Sequence, residues 1–156
     1  MKVLCITNTR PGLVLGETYE IMDYRPSNVK VKTSGGVITT KESNFLFLNR
    51  PSVGNWFKTK GRDLFVAEYS VDPICIDSEF NIVNGRHIKE WELIPLEIGS
   101  YPKGTIVIHQ DKRHLLCEKL GNYYRCLDLD SFTFKEIRCS DKVYRIGKLN
   151  VERNLG

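Results

Sequence analysis

The chain has 156 residues, an apolar fraction of 41% and a formal net charge of +4. This length and composition fit one globular domain, or two to three very small ones, with enough apolar residues to bury a core. No apolar run approaches the roughly 18 residues that a membrane span needs. The first residues, which include Asn8, Arg10 and Pro11, lack the apolar stretch of a signal peptide. We therefore expect a soluble protein of the cytoplasm.

The stretch 13–40 alternates apolar and polar residues, turns at Pro26-Ser27-Asn28, alternates again and turns at Gly35-Gly36. Alternation with a period of two predicts β-strands that each bury one face. Two strands cannot bury such a face by themselves, so further strands must complete a small barrel or sandwich. Turns are also predicted at Asn84-Gly85 and Gly121-Asn122.

A loose repeat extends this pattern along the chain. Gly16, Gly54 and Gly104 each stand three residues before a large apolar residue that begins a predicted strand. Proline and glycine interrupt the strand pattern at 49–52 and 95–102, where we expect domain boundaries. The predicted fold class is all-β, with two or three tandem small barrels. Their predicted spans are 1–49, 52–97 and 101–156, and the stretch 140–150 is predicted as a strand or a short helix.

The cysteines are an odd number, and they lack the close, regular spacing of a disulfide-stapled secreted domain. Most stand in apolar, strand-like runs, where cysteine behaves as a small buried hydrophobe. We expect reduced thiols, no disulfide, no metal and no cofactor. The five are Cys5, Cys75, Cys117, Cys126 and Cys139.

The opening of the chain, MKVLCITN and then LVLGETYEIMDY, combines a short strand, a loop and a Gly-x-x-Tyr-x-Ile strand start. This arrangement resembles the small SH3-like barrel proteins common among phage-encoded early proteins, and more distantly the KOW- and Tudor-type barrels. The resemblance covers about residues 1–49. It implies tandem SH3-like barrels and a DNA-binding role in modulating host or phage transcription.

Charge is distributed unevenly along the chain. Residues 1–50 contain seven basic and four acidic residues, 51–97 contain five and eight, and 98–156 contain eleven and seven. The basic ends, including a tail from Arg138 to Arg153, favour contact with a polyanion, although solubility alone would explain the same pattern.

Two rows of cations are candidate phosphate contacts. Lys30 and Lys32 should project from one strand face, roughly 7 Å apart, close to the separation of successive phosphates along a nucleic-acid strand. Lys58, Lys60 and Arg62 are predicted to repeat this arrangement. The simpler alternative is that these lysines protect a strand edge from pairing.

Residues 109–125 add a third candidate region, in which basic side chains stand beside aromatic ones. Lys112, Arg113 and Arg125 are predicted to contact phosphates, and Tyr124 to stack on a base. Only one of Tyr123 and Tyr124 can face outward if this region is a strand.

Signals for catalysis are weak. His109, His114 and Cys117 do not have the spacing of a zinc site. Two carboxylate pairs could work as general acid and base or hold a metal, but a solvated strand face explains them more simply. These pairs are Asp77 with Glu79 and Asp128 with Asp130.

The sequence therefore favours a non-catalytic accessory protein that binds nucleic acid, duplex DNA first, mainly through backbone phosphates. The alternative is a protein-binding adaptor or inhibitor of a host protein, which the acidic middle of the chain favours. A metal or nucleotide enzyme ranks third.

Overall fold

The structure is a computed structural model, and it describes residues 1–149. Within that range the chain forms sixteen β-strands and two short 3-10 turns, at Glu42–Asn44 and Ile98–Ser100, and no α-helix. Strands make up 54% of the residues. The predicted all-β fold of small barrel-like domains is therefore confirmed. No helix among the described residues has the length and apolar character needed to cross a membrane.

The strands form three antiparallel sheets. The first contains β1 (Lys2–Cys5), β2 (Thr18–Arg25), β3 (Asn28–Thr33), β4 (Gly36–Lys41) and β5 (Phe45–Phe47). The second contains β6 (Trp56–Lys58), β7 (Asp63–Tyr69), β8 (Pro73–Asp77), β9 (Ile82–Asn84) and β10 (Glu92–Leu93). The third contains β11 (Leu96–Glu97), β12 (Thr105–His109), β13 (Lys112–Leu120), β14 (Tyr123–Asp128), β15 (Phe134–Arg138) and β16 (Lys142–Lys148).

All three sheets have the same strand order. The first is β5-β1-β2-β3-β4, the second is β10-β6-β7-β8-β9, and the third is β16-β12-β13-β14-β15 with β11 added beside β16. In each case four strands follow one another as a meander, and the last strand returns to pair with the first. This return gives each short meander a fifth strand, which helps it bury one face.

The described residues form two compact units. One comprises Met1–Leu4, Tyr19–Glu42 and Phe47–Ile94. The other comprises Cys5–Thr18, Ser43–Leu46 and the described residues from Pro95 onward.

The second and third sheets share details that make them a structural repeat. Gly54 (φ +88°) and Gly104 (φ +90°) each precede the first strand of the meander. Their N–H groups donate to the carbonyls of Val66 and Leu116, at 2.9 and 2.7 Å. Gly16 has the same backbone conformation (φ +86°) but precedes β2, the second strand of its sheet. The predicted equivalence of the three glycines is therefore wrong for Gly16, because β1 already lies before it.

Alternation along the strands separates core from surface as predicted. In β3, Val29 and Val31 are buried while Lys30 and Lys32 are exposed. In the third sheet the same alternation builds a core from Ile98, Val107, Leu116, Tyr124, Cys126, Ile137 and Val143.

The stretch 140–150, predicted as a strand or a short helix, contains strand β16. Its last residue, Asn150, lies outside the described residues.

The turns differ from the predicted ones in three places. Asn28, predicted in the first turn, already begins β3. The turn between β3 and β4 consists of Ser34 and Gly35, and Gly36 (φ +126°) already begins β4. Gly85 is buried, and a Cβ there would meet the Pro73 ring at 2.7 Å. Close packing, and not turn geometry, therefore requires glycine at position 85. The predicted turn at Gly121 and Asn122 does connect β13 to β14.

Candidate nucleic-acid interface

The outer face of β2, β3 and β4 collects most of its charge as cations. The strand register forms rows that run from β2 across β3 to β4. One row is Arg25, Asn28 and Lys41, and the next is Asp23, Lys30 and Thr39. Lys32 lies opposite Val37 in the next row. All of these side chains are exposed. A shallow depression of about 420 Å³ lies among Asp23, Arg25, Asn28, Lys30 and Thr39. We call this surface, formed by Arg25, Lys30, Lys32 and Lys41 with Asp23, the basic face.

The basic face carries four cations and Asp23. A second exposed carboxylate on β2, Glu20, pairs with the N-terminal ammonium, with 3.5 Å between its Oε2 and the nitrogen. Asp23 contacts Arg25, with 3.6 Å between Oδ2 and Nε, so the nearest carboxylate offsets only part of the charge. Both partners of this ion pair are more than half exposed, and such pairs hold their geometry weakly in water. The arrangement presents several cations to a polyanion on one surface.

The sequence predicted only two of these four cations. Lys30 and Lys32 are adjacent on one strand face, so their alternation with valine revealed them. Arg25 and Lys41 belong to neighbouring strands, and only the register places them on either side of Asn28, in the row next to Lys30. The two-residue turn at Pro26-Ser27 could have revealed the position of Arg25, because such a turn puts Arg25 directly opposite Asn28.

Lys58 and Lys60 come together with Lys89, which the sequence did not indicate. The three line a cleft of about 650 Å³. Lys58 is also the cross-strand neighbour of Asp63 on β7 and of Glu92 on β10. Opposite charges directly across a strand pair attract, so these carboxylates offset the charge of Lys58.

The predicted continuous row of Lys58, Lys60 and Arg62 on one strand is wrong. Strand β6 ends at Lys58, and residues 59–62 form the hairpin to β7. The hydroxyl of Thr59 donates to the carbonyl of Arg62 at 2.6 Å, and Gly61 takes a positive φ of 105°. The turn therefore directs these side chains by its own geometry and not by strand alternation.

Arg62 and Arg113 are engaged within the protein. Arg62 Nη1 lies 3.4 Å from Asp77 Oδ2, and Arg113 Nη2 lies 2.6 Å from Asp130 Oδ1. Arg113 is also only one-quarter exposed. To contact a phosphate, Arg62 and Arg113 would first have to break these ion pairs.

Arg125 lies on the outer face of the third sheet between two carboxylates. Its cross-strand neighbours are Glu118 on β13 and Glu136 on β15. Its guanidinium packs over the ring of Phe134, 4.3 Å from the centroid. This environment supports a cation–π contact inside the protein, and it leaves no excess positive charge around Arg125.

Tyr124 is the predicted stacking residue that the structure contradicts. Its side chain is 2% exposed and belongs to the core of the third sheet. Its hydroxyl donates to the carbonyl of Tyr101 at 3.0 Å, and burial raises its pKa. Tyr123 is the exposed member of the pair, because alternation along β14 turns every second side chain inward.

Lys112 is exposed and opens β13. It lines a cleft of about 430 Å³ with Lys135 and Arg138, two cations that the sequence did not single out for this site. Glu136 and Asp141 line the same cleft. The near balance of charge distinguishes this cleft from the basic face.

His109, His114, Asp77 and Asp128 are buried or paired within the protein. His109 Nε2 lies 3.0 Å from Asp141 Oδ2, and His114 is buried opposite Asp128 in the β13–β14 register. Asp77 and Asp128 are buried, while Glu79 and Asp130 are exposed, so neither predicted pair shares a face. Within residues 1–149, no three His, Cys, Asp or Glu side chains are grouped so as to hold a metal ion.

Neither the known protein families nor the curated proteins compared with this chain give a match.

Proposed function

We propose that the protein is a non-catalytic accessory protein that binds nucleic acid, with duplex DNA as the favoured form. The basic face supports this proposal most directly, because four exposed cations lie on one surface. Lysine and arginine side chains of this kind neutralise phosphates and release counterions, which supplies affinity without reading base sequence.

The biological setting that we propose is modulation of host or phage transcription in the cytoplasm. Its support is the resemblance of residues 1–49 to phage-encoded SH3-like barrels. The shared strand order of the three sheets, in which the last strand pairs with the first, agrees with that resemblance.

The test is binding of a 20-base-pair duplex, followed by fluorescence anisotropy over a range of salt concentrations. If all four cations of the basic face contact phosphates, log affinity should fall by roughly 3 to 4 per log unit of salt. Replacing Lys30 and Lys32 with glutamate should reduce that slope by about 2 and weaken binding to all sequences alike. A duplex RNA of the same sequence distinguishes the two nucleic acids.

The control is a second double variant, Lys142→Glu with Lys148→Glu, which changes the net charge equally. Both of these lysines are exposed on β16. Equal loss of affinity in the two double variants would show that net charge and not the basic face governs binding. Absence of a salt-sensitive shift at micromolar protein would refute the proposed function.

A second candidate function, a protein-binding adaptor, is favoured by the second sheet. Its outer face carries Phe65, Ile74, Ile76 and Ile82. Ile74 and Ile76 occupy the positions of Lys30 and Lys32 in the first sheet. Apolar residues on the outside of a sheet are typical of surfaces that bind another protein.

A further inference from the structure

The outer face of the second sheet is an apolar row that runs across four strands. The register sets Trp56 beside Phe65, Phe65 beside Ile76, and Ile76 beside Ile82. The rings of Trp56 and Phe65 are in contact, with centroids 5.6 Å apart. Trp56, Phe65 and Ile76 are half-buried, and Ile82 is 80% exposed. The row therefore ends at the outermost strand, β9.

Strand β9 also leaves backbone groups available at the edge of the sheet. Asp77 donates its N–H to Asn81 O, and Gly85 donates its N–H to Pro73 O, on either side of the three-residue strand. Hydrogen-bonded and non-hydrogen-bonded pairs alternate in an antiparallel ladder, so Ile82 and Asn84 direct their N–H and C=O groups away from β8. Within the described part of the chain, no strand pairs with that side of β9.

The strands that correspond to β9 in the other two sheets carry charges. They are β4, which contains Lys41, and β15, which contains Lys135, Glu136 and Arg138. Charged side chains on an edge strand discourage pairing with another chain. Strand β9, with the sequence Ile-Val-Asn, has no charge. Only its shortness limits pairing there.

Phe80 stands beside this edge in a fixed and strained conformation. It is 86% exposed and has a φ of 64°, which is uncommon for a bulky residue. The loop is held by Asp77, whose Oδ1 accepts the N–H groups of Glu79 and Asn81, each at 2.9 Å. Because the loop is already ordered, little conformational entropy is lost when a partner covers Phe80.

The charge of this region indicates the kind of partner. From Asp63 to Asn84, which includes all of β7, β8 and β9, the chain has five acidic residues and no Lys, Arg or His. A second copy of this chain would bring the same carboxylates against the edge. A segment with basic residues would complement them.

We propose that β9 binds an extended segment of a partner protein as an added strand. The segment has apolar residues at alternate positions, which extend the row from Ile82, and lysine or arginine between them. Backbone hydrogen bonds to Ile82 and Asn84 supply affinity, and side-chain contacts with Ile82 and Phe80 supply selectivity. This surface is separate from the basic face, so the inference does not depend on nucleic-acid binding.

The probe is a panel of fluorescent heptapeptides in which lysine alternates with Val, Ile, Leu or Phe. Binding is measured by anisotropy, and amide hydrogen exchange is measured by NMR. At least one peptide should bind with a dissociation constant below about 1 mM. That peptide should slow exchange at Ile82 and Asn84, and its affinity should fall when glutamate replaces its lysines or when its edge-facing amides are methylated.

The test variant is Ile82→Lys, which adds an edge charge at a residue too exposed to be needed for folding. Its matched control is Phe134→Lys, because Phe134 opens β15 as Ile82 opens β9. We expect at least tenfold weaker binding for Ile82→Lys and unchanged binding for Phe134→Lys and for the Lys30→Glu/Lys32→Glu variant. Circular dichroism verifies that each variant is folded.

Three outcomes would overturn the inference. No peptide in the panel binds, or binding survives both Ile82→Lys and amide methylation, or the free protein self-associates in sedimentation experiments in a way that Ile82→Lys abolishes. The last result would assign the edge to a second copy of the chain.

Discussion

Asp77 and Asp128 each hold the loop after their strand by accepting hydrogen bonds from two backbone N–H groups. Asp128 Oδ1 accepts the N–H groups of Asp130 and Ser131, at 2.9 and 3.1 Å. Burial alone would raise the pKa of Asp128, but these N–H groups, Lys135 and His114 hold it at about 2. The carboxylate is therefore charged in the folded protein at neutral pH, and the same is expected of Asp77, whose pKa is lowered chiefly by the Asn81 N–H.

The residue that faces this carboxylate differs between the two sheets. Leu64 lies opposite Asp77, and His114 lies opposite Asp128. His114 is 2% exposed, and its Nδ1 atom is buried without a hydrogen-bond partner. Burial lowers the pKa of His114, and His109 and Lys135 act in the same direction, although Asp128 opposes them. His114 is therefore neutral in the folded state near pH 7.

The substitution His114→Leu should remove a pH dependence of stability. Below a pH of about 6.5 the unfolded chain takes up a proton that folded His114 resists. The free energy of unfolding should then decrease as the pH falls, by at most about 1.4 kcal/mol per pH unit from this group. Urea denaturation at pH 7.5, 6.5 and 5.5 measures the effect. His114→Leu, which copies Leu64, should show a flatter dependence, and an unchanged slope would contradict the assignment.

At the scale of the strands, one framework carries three different surfaces. A bulge follows Ile21, Val66 and Leu116 in the second strand of each meander. Counting from these bulges identifies equivalent outward positions in the third strands. They are Lys30 and Lys32 in the first sheet, Ile74 and Ile76 in the second, and Arg125 and Leu127 in the third. The same geometry therefore presents a basic, an apolar and a mixed face.

Period-two alternation predicted the strands and the direction of Lys30 and Lys32, because successive side chains of one strand point to opposite faces of the sheet. It could not predict the basic face as a whole, since Arg25 and Lys41 depend on register between strands. It was also wrong where a strand ended early, as at Lys58. For Tyr124, alternation required one of two tyrosines to be inside, and only the packing around Tyr101 decides which.

Gly104 should be required for its backbone conformation alone. Its φ is +90°, and a Cβ at this position would have no atom within 4 Å. Gly104→Ala should therefore lower the free energy of unfolding by roughly 1 to 2 kcal/mol, because a side chain strains the left-handed region. Gly147 has equal space but no positive φ, so Gly147→Ala is the matched control and should be close to neutral. Equal urea midpoints for the two variants would contradict this explanation.

At the scale of the whole molecule, a modest net charge of +4 combines surfaces of opposite sign. The basic face carries four cations, while the stretch 63–84 carries only carboxylates among its charged residues. Because ionic interactions with a polyanion and with a basic peptide use different residues, one chain has surfaces suited to both classes of partner. This distribution of charge agrees with both proposals, nucleic-acid binding at the basic face and strand addition at β9.

The cysteines are distributed so that each sheet contains one that is fully buried. Cys5 lies in β1, Cys75 in β8 and Cys126 in β14, and all five cysteines of the chain are free thiols. Burial raises the pKa of Cys5 and Cys75, and it raises that of Cys126 to about 12. Cys117 and Cys139 are only partly buried.

Thiol labelling should therefore distinguish the two partly buried cysteines from the three buried ones. The thiolate is the reactive form, so a buried thiol with a raised pKa reacts only after its sheet opens. At pH 8 in native buffer, a maleimide should modify Cys117 and Cys139 within minutes, while Cys5, Cys75 and Cys126 should react only as denaturant is added. Mass spectrometry of peptides from the labelled protein identifies each site. Rapid native labelling of Cys75 or Cys126 would show that the second or third sheet opens readily, contrary to the packing described here.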